Sequence, residues 1–396
     1  MISVNAALAA IERAIVPLPP ETIALAEAHG RTLAADLAAD MDFPPFDTTA
    51  MDGYAVAGAA LEARERPGTT GAGAKPPPPL RDGEAARVMT GAPIPDGATA
   101  VVPVEDAERT NDTVVFRKAP NPGAHLRRRG EIFRAGDRIL RAGDRLTPER
   151  ILLCATVGAV RLAVASLPRV ALAATGDEIV DPSAAPAGSQ LRNGNGPAVA
   201  AALARRGIPA AARPAIPDRR DALERFFADT GAEFDLRITT GGVSVGDYDR
   251  VVEAATGAGF ELLFHGVAVK PGKPVAFARR GRSFWFGLPG NPVSALTTFH
   301  LFVDAALDRF EGVRRERFVE ARLAGEVASR PGRETYRDAR LFAESGELRV
   351  RPIASRGSHD ILAQAQRNAL LVLPEEGGAW RDGDTMRCLR LAGFED

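Results

Sequence analysis

Hydrophobic positions recur with different spacings along the chain, and the spacing separates regions of different structure. Near the amino terminus, Val4, Leu8 and Ile11 fall on one face of a helix, and on this pattern we expect the first forty residues to be helical. Between about residues 43 and 145, short β-branched runs such as Thr113–Phe116 are separated by glycine and proline. That texture is typical of a β-rich region with exposed loops.

From about residue 168 the pattern alternates between strands and helices. We expect a buried strand at Val170–Ala174, then helices over 197–206, 221–230 and 248–255, strands over 234–239, 262–269 and 275–286, and a long helix from Pro292 to about Phe310. Strands that alternate with helices form parallel sheets covered on both faces, so this region should be a doubly wound α/β domain. The last eighty residues return to short strands joined by glycine and aspartate turns, which predicts a small β-barrel.

These changes of pattern predict a multidomain chain, and its 396 residues exceed the usual length of one domain. We expect four parts. They are an elongated helical or linker domain formed by 1–42 together with 136–167, a β-rich insertion domain over 43–135, an α/β domain over 168–314 and a carboxy-terminal β-barrel domain over 315–396.

Charge and composition exclude several classes of function. The chain carries 50 Lys and Arg residues against 51 Asp and Glu, a formal net charge of -1, so it has no overall attraction to nucleic acid or to acidic membranes. The longest apolar stretch, 151–160, is shorter than the roughly 20 residues that cross a bilayer. Two cysteines cannot form a disulfide framework. We therefore expect a cytoplasmic protein with no nucleic-acid or membrane partner.

Three loops of the predicted α/β domain each follow a strand and carry glycine or polar residues. They are Ala-Thr-Gly-Asp-Glu (174–178), Thr-Thr-Gly-Gly-Val-Ser-Val-Gly-Asp (239–247) and Gly-Leu-Pro-Gly-Asn-Pro (287–292). The carboxyl ends of parallel strands share one edge of the sheet, and ligands bind there. The three loops should therefore meet around one cleft.

The second of these loops has the composition of an anion-binding site. Gly241, Gly242 and Gly246 allow close approach of the backbone, Ser244 adds a hydroxyl, and the helix that follows offers its N-terminus. The spacing matches neither GxxxxGK[ST] nor GxGxxG. The loop is therefore neither a mononucleotide P-loop nor a standard dinucleotide fingerprint.

The third loop opens the long helix. Asn291 can cap that helix and Pro292 suits its first position. Capping alone would explain this pair, but it does not explain the Gly-Leu-Pro-Gly before it.

Lysine is rare in this chain, which makes its placement informative. Only four of the 50 basic residues are lysine, and two of them, Lys270 and Lys273, flank a Pro-Gly turn. A compact ammonium group on a stiff turn suits an oxyanion or a phosphate, although solvated surface lysines would give the same pattern. Carboxylates on the neighbouring loops, such as Asp177 and Asp247, would repel an anionic ligand. Mg²⁺ held by one or two carboxylates and by ligand phosphates would remove that repulsion.

Further runs outside the α/β region join these loops in a fixed order. In sequence they are Asp-Thr-Thr-Ala-Met-Asp-Gly-Tyr-Ala (47–55), Met-Thr-Gly-Ala-Pro (89–93), Arg-Arg-Arg-Gly-Glu (127–131), Thr-Gly-Asp-Glu (175–178), Gly-Gly-Val-Ser-Val-Gly-Asp (241–247), Lys-Pro-Gly-Lys-Pro (270–274), Gly-Leu-Pro-Gly-Asn-Pro (287–292) and Gly-Ser-His (357–359). Taken singly, most of them are explained by an ordinary loop. The ordered set spans about residues 5 to 390 and resembles the molybdopterin molybdenumtransferase family, the MoeA family that includes the E domain of gephyrin.

The resemblance implies a reaction and a set of functional residues. In this family, adenylated molybdopterin and molybdate give molybdenum cofactor and AMP with the help of Mg²⁺, the final step of cofactor biosynthesis. The positions that match the family's catalytic residues are Asp52, Thr90, Glu178, Asp218 and Asp249, and of these Asp218 and Asp249 would hold the metal. The positions that would bind the substrates are Gly241, Gly242, Ser244, Gly246, Lys270, Lys273, Pro289, Asn291, Pro292, Arg337 and Ser358.

Within that set, the two lysines, Ser358 and an arginine before it, Arg333 or Arg337, resemble the family's molybdate pocket. The resemblance also implies a homodimer of elongated, four-domain subunits with the active cleft at the subunit interface. A molybdopterin adenylyltransferase is the expected upstream partner, because it supplies the adenylated substrate.

Two positions depart from the family's pattern. Ile132 stands where an Asp usually follows Arg-Gly-Glu, and Gly266 stands where some members have a further lysine. His265 beside it is either a donor that faces the ligand or an ordinary strand residue.

Two other functions stay open. A molybdopterin adenylyltransferase is a single small domain that resembles only the α/β part of this chain. A non-catalytic molybdopterin-binding or scaffold protein would keep the cleft without activity, although the long partner-binding linkers typical of scaffolds are absent from the sequence.

Overall fold

The computed structural model describes residues 1–229, 233–243 and 250–391, and these residues form two compact units. The small unit contains Ile23–His29 and Leu33–Leu162. The large unit contains Met1–Thr22, Gly30–Thr32 and the chain from Ala163 onward. Within the described ranges, every helix is too short or too polar to cross a membrane.

Short strands dominate the chain up to residue 164. The helices are α1 (Val4–Ala14) and α2 (Pro148–Thr156), and the strands in chain order are β1 (Glu21–Ala24), β2 (Leu37–Ala38), β3 (Thr48–Thr49), β4 (Gly53–Val56), β5 (Glu62–Thr70), β6 (Glu84–Val88), β7 (Ala100–Pro103), β8 (Ala107–Thr110), β9 (Thr113–Phe116), β10 (Leu126–Arg127), β11 (Arg138–Leu140) and β12 (Arg161–Val164).

Strands and helices alternate after that, and strands return at the end. The strands are β13 (Val170–Ala174), β14 (Ile179–Val180), β15 (Leu191–Arg192), β16 (Ala210–Ala212), β17 (Leu236–Thr240), β18 (Glu261–His265), β19 (Val269–Lys270), β20 (Ala276–Arg280), β21 (Ser283–Leu288), β22 (Phe318–Leu323), β23 (Val327–Ser329), β24 (Glu334–Glu344), β25 (Glu347–Pro352), β26 (Ala369–Leu373), β27 (Gly378–Trp380) and β28 (Thr385–Arg390). The helices are α3 (Asn195–Ala204), α4 (Arg220–Asp229), α5 (Arg250–Gly257), α6 (Pro292–Thr298), α7 (Asp304–Phe310) and α8 (Ile361–Gln364), and a π-helical segment, Phe299–Val303, joins α6 to α7.

The small unit is built on a six-stranded sheet in the order β7-β4-β6-β5-β9-β8. The interior strand β4 is buried along its whole length, because apolar clusters cover both of its faces. β4 runs antiparallel to β6 with Gly53 opposite Val88. The residue before β4 and the residues after β6 therefore lie side by side at one edge of the sheet.

The large unit contains a second six-stranded sheet, in the order β16-β13-β17-β21-β20-β18. β16, β13, β17 and β21 are parallel, and β20 runs antiparallel to both of its neighbours. Consequently the carboxyl ends of the parallel strands, the end of β18 and the start of β20 all lie at one edge.

Helices cover both faces of this sheet, as the doubly wound pattern requires. One core includes apolar residues of α1, α3 and α7 together with the π-helical segment. The other core includes apolar residues of α4 and α5, with Trp285 buried between them and the sheet. The predicted doubly wound domain is thus confirmed.

The last strands close a five-stranded barrel. The order β24-β25-β22-β28-β26 returns to β24 through a second antiparallel pairing between β24 and β26. Its interior holds Leu341, Val350, Leu371 and Cys388, all almost fully buried. This confirms the barrel that was predicted for the carboxy-terminal region.

Three local predictions were wrong. In the first forty residues only Val4–Ala14 forms an α-helix, and short strands and a 3-10 turn follow it, because the apolar spacing that favoured a helix ends at Ile15. The single strand predicted over 275–286 is a hairpin that turns at Gly281, where φ is +59°. The predicted sheet was purely parallel, whereas that hairpin makes it mixed. The four predicted domain boundaries stay a prediction.

Candidate functional site

The three predicted loops meet at the carboxyl edge of the large unit's sheet. The backbone N–H of Thr175 donates to the carbonyl of Thr240 at 2.9 Å, and the N–H of Gly241 donates to the carbonyl of Leu288 at 3.0 Å. The loops that follow β13, β17 and β21 are therefore tied to one another by main-chain hydrogen bonds, since their strands are neighbours in the sheet.

Glycine is required where these loops touch. Gly241 has φ +96°, and a Cβ atom there would lie 2.7 Å from the carbonyl oxygen of Thr175. Gly242 has φ +64°, and its Cβ would lie 2.9 Å from the hydroxyl of Thr175. Side chains would clash at both positions, and positive φ favours glycine. Of the other residues predicted in this loop, Ser244, Gly246 and Asp249 lie outside the described residues.

A group of carboxylates lines the first loop. Asp177 and Glu178 are exposed after β13, and Asp218 is half-buried nearby, with its backbone N–H donating to Oδ1 of Asp177 at 3.0 Å. Burial raises the pKa of Asp218, and the charges of Asp177 and Glu178 raise it further against the opposing effect of Arg250. The arrangement crowds negative charge at the edge of the cleft.

The described residues show no ready-made metal cage. Among them, no group of three or more His, Cys, Asp or Glu side chains has the geometry to hold a metal ion. Mg²⁺ usually takes only one or two carboxylates and completes its shell with water and ligand phosphates. The crowding that raises the pKa of Asp218 is the kind that a divalent cation relieves, so these residues fit Mg²⁺ only as part of a complex with a phosphate ligand.

The two lysines lie at the same edge, in the segment 266–275 between β18 and β20, which includes β19 and is called the lysine turn below. Lys270 is exposed, Lys273 is half-buried, and no described residue forms an ion pair with either. The carbonyl of Lys273 accepts from the N–H of Val267 at 2.9 Å, which fixes the turn. Two ammonium groups without carboxylate partners on a fixed turn can bind an anion.

Of the two candidate arginines, Arg333 is the one bonded to this turn. Its Nη1 donates to the carbonyl of Val269 at 3.2 Å. Lys270 pairs with Thr335 of β24, whereas Arg337 pairs with Leu371 on the next strand of the barrel. Among the described residues, no hydrogen bond or ion pair joins Arg337 to this turn.

The third loop brings two more of the predicted residues together. Asn291 occupies the N-cap position of α6, but its side chain does not cap the helix. Its amide nitrogen instead donates to the hydroxyl of Ser358 at 3.2 Å, and the N–H of Val293 donates to the carbonyl of Ser358 at 3.3 Å. Ser358, which lies between β25 and α8, is therefore held at the start of α6, where Pro292 is the first residue of the helix. The third loop leads into this point through the buried Pro289 and the exposed Gly290.

Sequence reasoning missed Asn195 and left the role of His265 open. Asn195, the first residue of α3, donates through Nδ2 to the carbonyl of Gly290 at 2.7 Å and so supports the third loop. His265, which was left open between donor and strand residue, ends β18 with its Nε2 atom 3.3 Å from the carbonyl of Val243. The Asn-Gly-Asn repeat over 193–195 was the available signal for the first.

Asp52 and Thr90 form a separate pair in the small unit. The backbone N–H and the hydroxyl of Thr90 both donate to Oδ1 of Asp52 at 2.6 Å. The hydroxyl, followed by the backbone N–H, lowers the pKa of Asp52 below its usual value. Two residues that lie 38 positions apart in the chain are thus joined because β4 and β6 are paired.

The arginine run of the small unit is not a free basic patch. Arg128 contacts Asp47 at 2.5 Å, and Arg129 contacts Asp42 at 2.7 Å. Glu131 accepts from the backbone N–H of Arg128 at 2.7 Å, whereas Ile132 is 67% exposed and forms no part of a core. The run therefore serves mainly to fix the loop that carries it.

Comparisons with known proteins cover nearly all of the chain. Family models match residues 2–158 as "MoeA N-terminal region (domain I and II)", residues 171–309 as "Probable molybdopterin binding domain" and residues 320–390 as "MoeA C-terminal region (domain IV)". The chain is 31% identical to a molybdopterin molybdenumtransferase of Haemophilus influenzae over 95% of both proteins. It is 34% identical to molybdopterin molybdenumtransferase 2 of Mycobacterium tuberculosis, over 90% of this chain and 91% of that protein.

The fold has solved relatives of the same extent. The crystal structure of a molybdopterin biosynthesis MoeA protein from Pyrococcus horikoshii superposes with a TM-score of 0.82 at 27% identity and covers 98% of this chain and 100% of that one.

Proposed function

The chain belongs to the molybdopterin molybdenumtransferase family, and from that premise we propose that it inserts molybdenum into adenylated molybdopterin, with molybdate as the metal source, Mg²⁺ as the cofactor and AMP as the second product. The observation that carries the proposal is the convergence of three strand-end loops, the lysine turn and Ser358 at one edge of the sheet. Ligands of open α/β sheets bind at such an edge.

The lysine turn and Ser358 suit molybdate. Molybdate is a dianion, and Lys270 and Lys273 can balance its charge without entering into bonds with the metal. Arg333, bonded beside Lys270, is a third cation at this place. We propose that these residues hold molybdate, with the Ser358 hydroxyl as a hydrogen-bond donor.

The glycine loop suits the pyrophosphate of the nucleotide substrate. Gly241 and Gly242 let this loop pack against Thr175, and the N–H of Gly241 already donates to Leu288, so we expect a phosphate to bind the remaining main-chain N–H groups of the loop. Mg²⁺, when bound, neutralises the charge of the phosphates. In the proposal Asp218 contributes to holding it, together with Glu178 and with Asp249, which lies outside the described residues.

Binding of the nucleotide half would position the molybdopterin sulfurs against molybdate. Holding two reactants in a fixed geometry removes much of the entropic barrier to their reaction. Attack of water on the phosphoanhydride then splits it into AMP and the phosphate of the cofactor, which makes the insertion irreversible. We propose that Asp52, held as a hydrogen-bond acceptor by Thr90, takes part in this chemistry.

The test is a mass-spectrometric assay of the purified protein with adenylated molybdopterin, molybdate and Mg²⁺. AMP and metal-loaded cofactor should form together and only when molybdate is present. Lys270→Ala should lower turnover by about 100-fold, the usual loss when one electrostatic contact is removed. Lys75→Ala, at an exposed lysine of the small unit, is the matched control and should leave turnover unchanged. Nucleotide binding without turnover would instead indicate a non-catalytic protein.

The proposal includes a homodimer with the cleft at the subunit interface. Light scattering should give twice the chain mass of 41.8 kDa. If one cleft uses residues of two subunits, mixing Lys270→Ala chains with Asp52→Ala chains should restore part of the turnover, because some mixed dimers keep one intact cleft. A monomer, or no restoration, would contradict this part alone.

A further inference from the structure

A second cavity of the large unit lies away from the cleft. It has a volume of about 650 Å³ and is bounded by α3, the α6 helix, α8 and the barrel strand β24. Its residues on the long helix, Leu296 and His300, lie up to eight residues beyond Pro292, which is about 12 Å along a helix. The residues of the lysine turn, Asn291 and Ser358 do not line it.

The charge of this cavity is strongly one-sided. Arg205, Arg340 and Arg367 all line it, and its described lining includes no carboxylate. Arg205 and Arg340 are exposed, and no ion pair joins either of them to a described residue. Within the described chain, Arg340 makes only a long hydrogen bond, 3.4 Å, to the carbonyl of Gln366. Two guanidinium groups are therefore available to a ligand.

Arg367 forms a buried part of the same wall. Its side chain is only 3% exposed and pairs with Asp338 at 2.6 Å through Nη1. The Nη2 atom is buried and has no hydrogen-bond partner among the described residues. This atom is closed off from solvent, so it does not itself reach a ligand in the cavity, and the ion pair with Asp338 holds Arg367 as a fixed part of the wall.

The surrounding groups are fixed rather than loose. Oδ1 of Asn368 accepts from the N–H of Leu341 at 2.7 Å, and its Nδ2 donates to the carbonyl of Leu341 at 2.9 Å. These two hydrogen bonds hold the segment beside Arg340. His300 uses Nδ1 for a contact of 3.0 Å with Asp304, which leaves Nε2 as its remaining ring nitrogen. Aliphatic side chains, Leu296, Ile361 and Leu391, complete the lining.

We propose that this cavity binds a small organic phosphate, with the phosphate on the arginines and an apolar body against the aliphatic wall. The planar guanidinium fork matches phosphate oxygens. A phosphomonoester dianion balances the two unpaired charges of Arg205 and Arg340, whereas a carboxylate would balance only one. The site goes beyond the proposed transferase function and does not depend on it.

The test uses phenyl phosphate as the probe, measured by calorimetry. The starting protein is the full chain with Lys270→Ala and Lys273→Ala, so that the lysine turn no longer binds anions. One phenyl phosphate should bind per chain. Arg340→Ala or Arg205→Ala, each at an exposed residue, should weaken binding by about tenfold, the loss expected for one charge-assisted contact.

Two controls separate the alternatives. Arg282→Ala removes an exposed arginine of the β20–β21 turn and should leave binding unchanged. Inorganic phosphate should bind more weakly than phenyl phosphate, because it cannot use the aliphatic wall. The proposal is overturned if the lysine-free protein binds no phenyl phosphate, if neither arginine variant weakens binding, or if inorganic phosphate binds equally well. Transferase turnover is read in a different assay, so failure of one proposal is distinguishable from failure of the other.

Discussion

Two aspartates that the family resemblance groups together have opposite electrostatic surroundings. Asp218, in the large unit, is half-buried beside Asp177 and Glu178, and its pKa is raised. Asp52, in the small unit, accepts two hydrogen bonds from Thr90, and its pKa is lowered. One carboxylate is held among like charges, and the other is stabilised as an anion before any ligand arrives.

The opposite pKa shifts of Asp218 and Asp52 show two ways in which a fold can prepare a carboxylate for its ligand. Around Asp218 the carboxylates repel one another, and their closeness becomes favourable only when a cation binds between them. Around Asp52 the hydrogen bonds already satisfy the carboxylate, so it can keep its charge and orientation without a ligand. The first site should respond to Mg²⁺ and to backbone changes in its loops, and the second should respond to removal of single polar groups.

The largest expected effect comes from the backbone of the large unit's cleft. Gly241→Ala places a Cβ atom 2.7 Å from the Thr175 carbonyl at a φ of +96°. We expect it to lower the free energy of unfolding by about 1–3 kcal/mol and turnover by about 100-fold, because the three loops lose their register. Urea unfolding and the AMP assay measure the two quantities.

Gly257→Ala is the matched control for this substitution. A Cβ atom at this position, the last of α5, meets nothing within 4 Å. Its stability and turnover should match those of the unmodified protein. Equal effects of the two substitutions would show that close approach of the loops is unimportant.

The next effect tests the small unit's carboxylate. Asp52→Asn keeps the shape but removes the charge, and we expect turnover to fall by about 100-fold, within the range for loss of an acid–base group. As a control, Asp112→Asn should leave turnover unchanged, because the side chain of Asp112 in the same unit is 73% exposed. Normal turnover of Asp52→Asn would remove this residue from the chemistry.

The pH dependence of stability should have opposite signs for the two aspartates. Asp218 has a folded pKa above its unfolded value near 3.8, so the folded state holds more protons and its stability falls as pH rises through that window. Asp218→Asn should therefore gain stability relative to the unmodified protein between pH 4 and neutral pH, and Mg²⁺ should reduce the gain.

For Asp52 the folded pKa lies below 3.8, so its stabilisation is complete above that pH and is lost as pH falls further. The advantage of the unmodified protein over Asp52→Asn should therefore shrink as the pH falls below about 4. Urea unfolding at a series of pH values measures both. The same sign for both variants would contradict the comparison.

The smallest effect concerns a single hydroxyl. Thr90→Val removes the hydroxyl that lowers the pKa of Asp52 most, but keeps the backbone donor. We expect the acid limb of the kcat/KM profile to move to higher pH, with little change in turnover at neutral pH. Thr90→Ser keeps a hydroxyl and should keep the profile. An unshifted limb in Thr90→Val would mean that the limb reports another group.

The sequence predicted the elements that bury a continuous apolar run more reliably than those joined by short turns. The prediction for Val170–Ala174 agrees with β13 residue for residue, and the long helix from Pro292 to Phe310 is present, though with a π-helical segment inside it. The hairpin at Gly281 was missed although the sequence marks it: the polar run Arg-Arg-Gly-Arg-Ser over 279–283 separates the apolar stretches of β20 and β21.

The candidate site could be predicted only as far as topology follows from pattern. Alternating strands and helices imply that strand-end loops share an edge, so the meeting of the loops at Thr175, Gly241 and Gly290 was foreseeable. The hydrogen bond from Asn291 to Ser358 was not foreseeable, because an asparagine before a proline is typical of a helix cap and Ser358 lies 67 positions further along the chain.

What the sequence by itself determined is the order of the elements, the doubly wound sheet, the barrel and the family, since hydrophobic period and ordered motifs are properties of the chain. Only the tertiary structure decided the state of the polar groups: the raised pKa of Asp218, the lowered pKa of Asp52, and the gathering of Arg205, Arg340 and Arg367 around one cavity. Charge interactions depend on distance and burial, and neither can be read from positions along a chain.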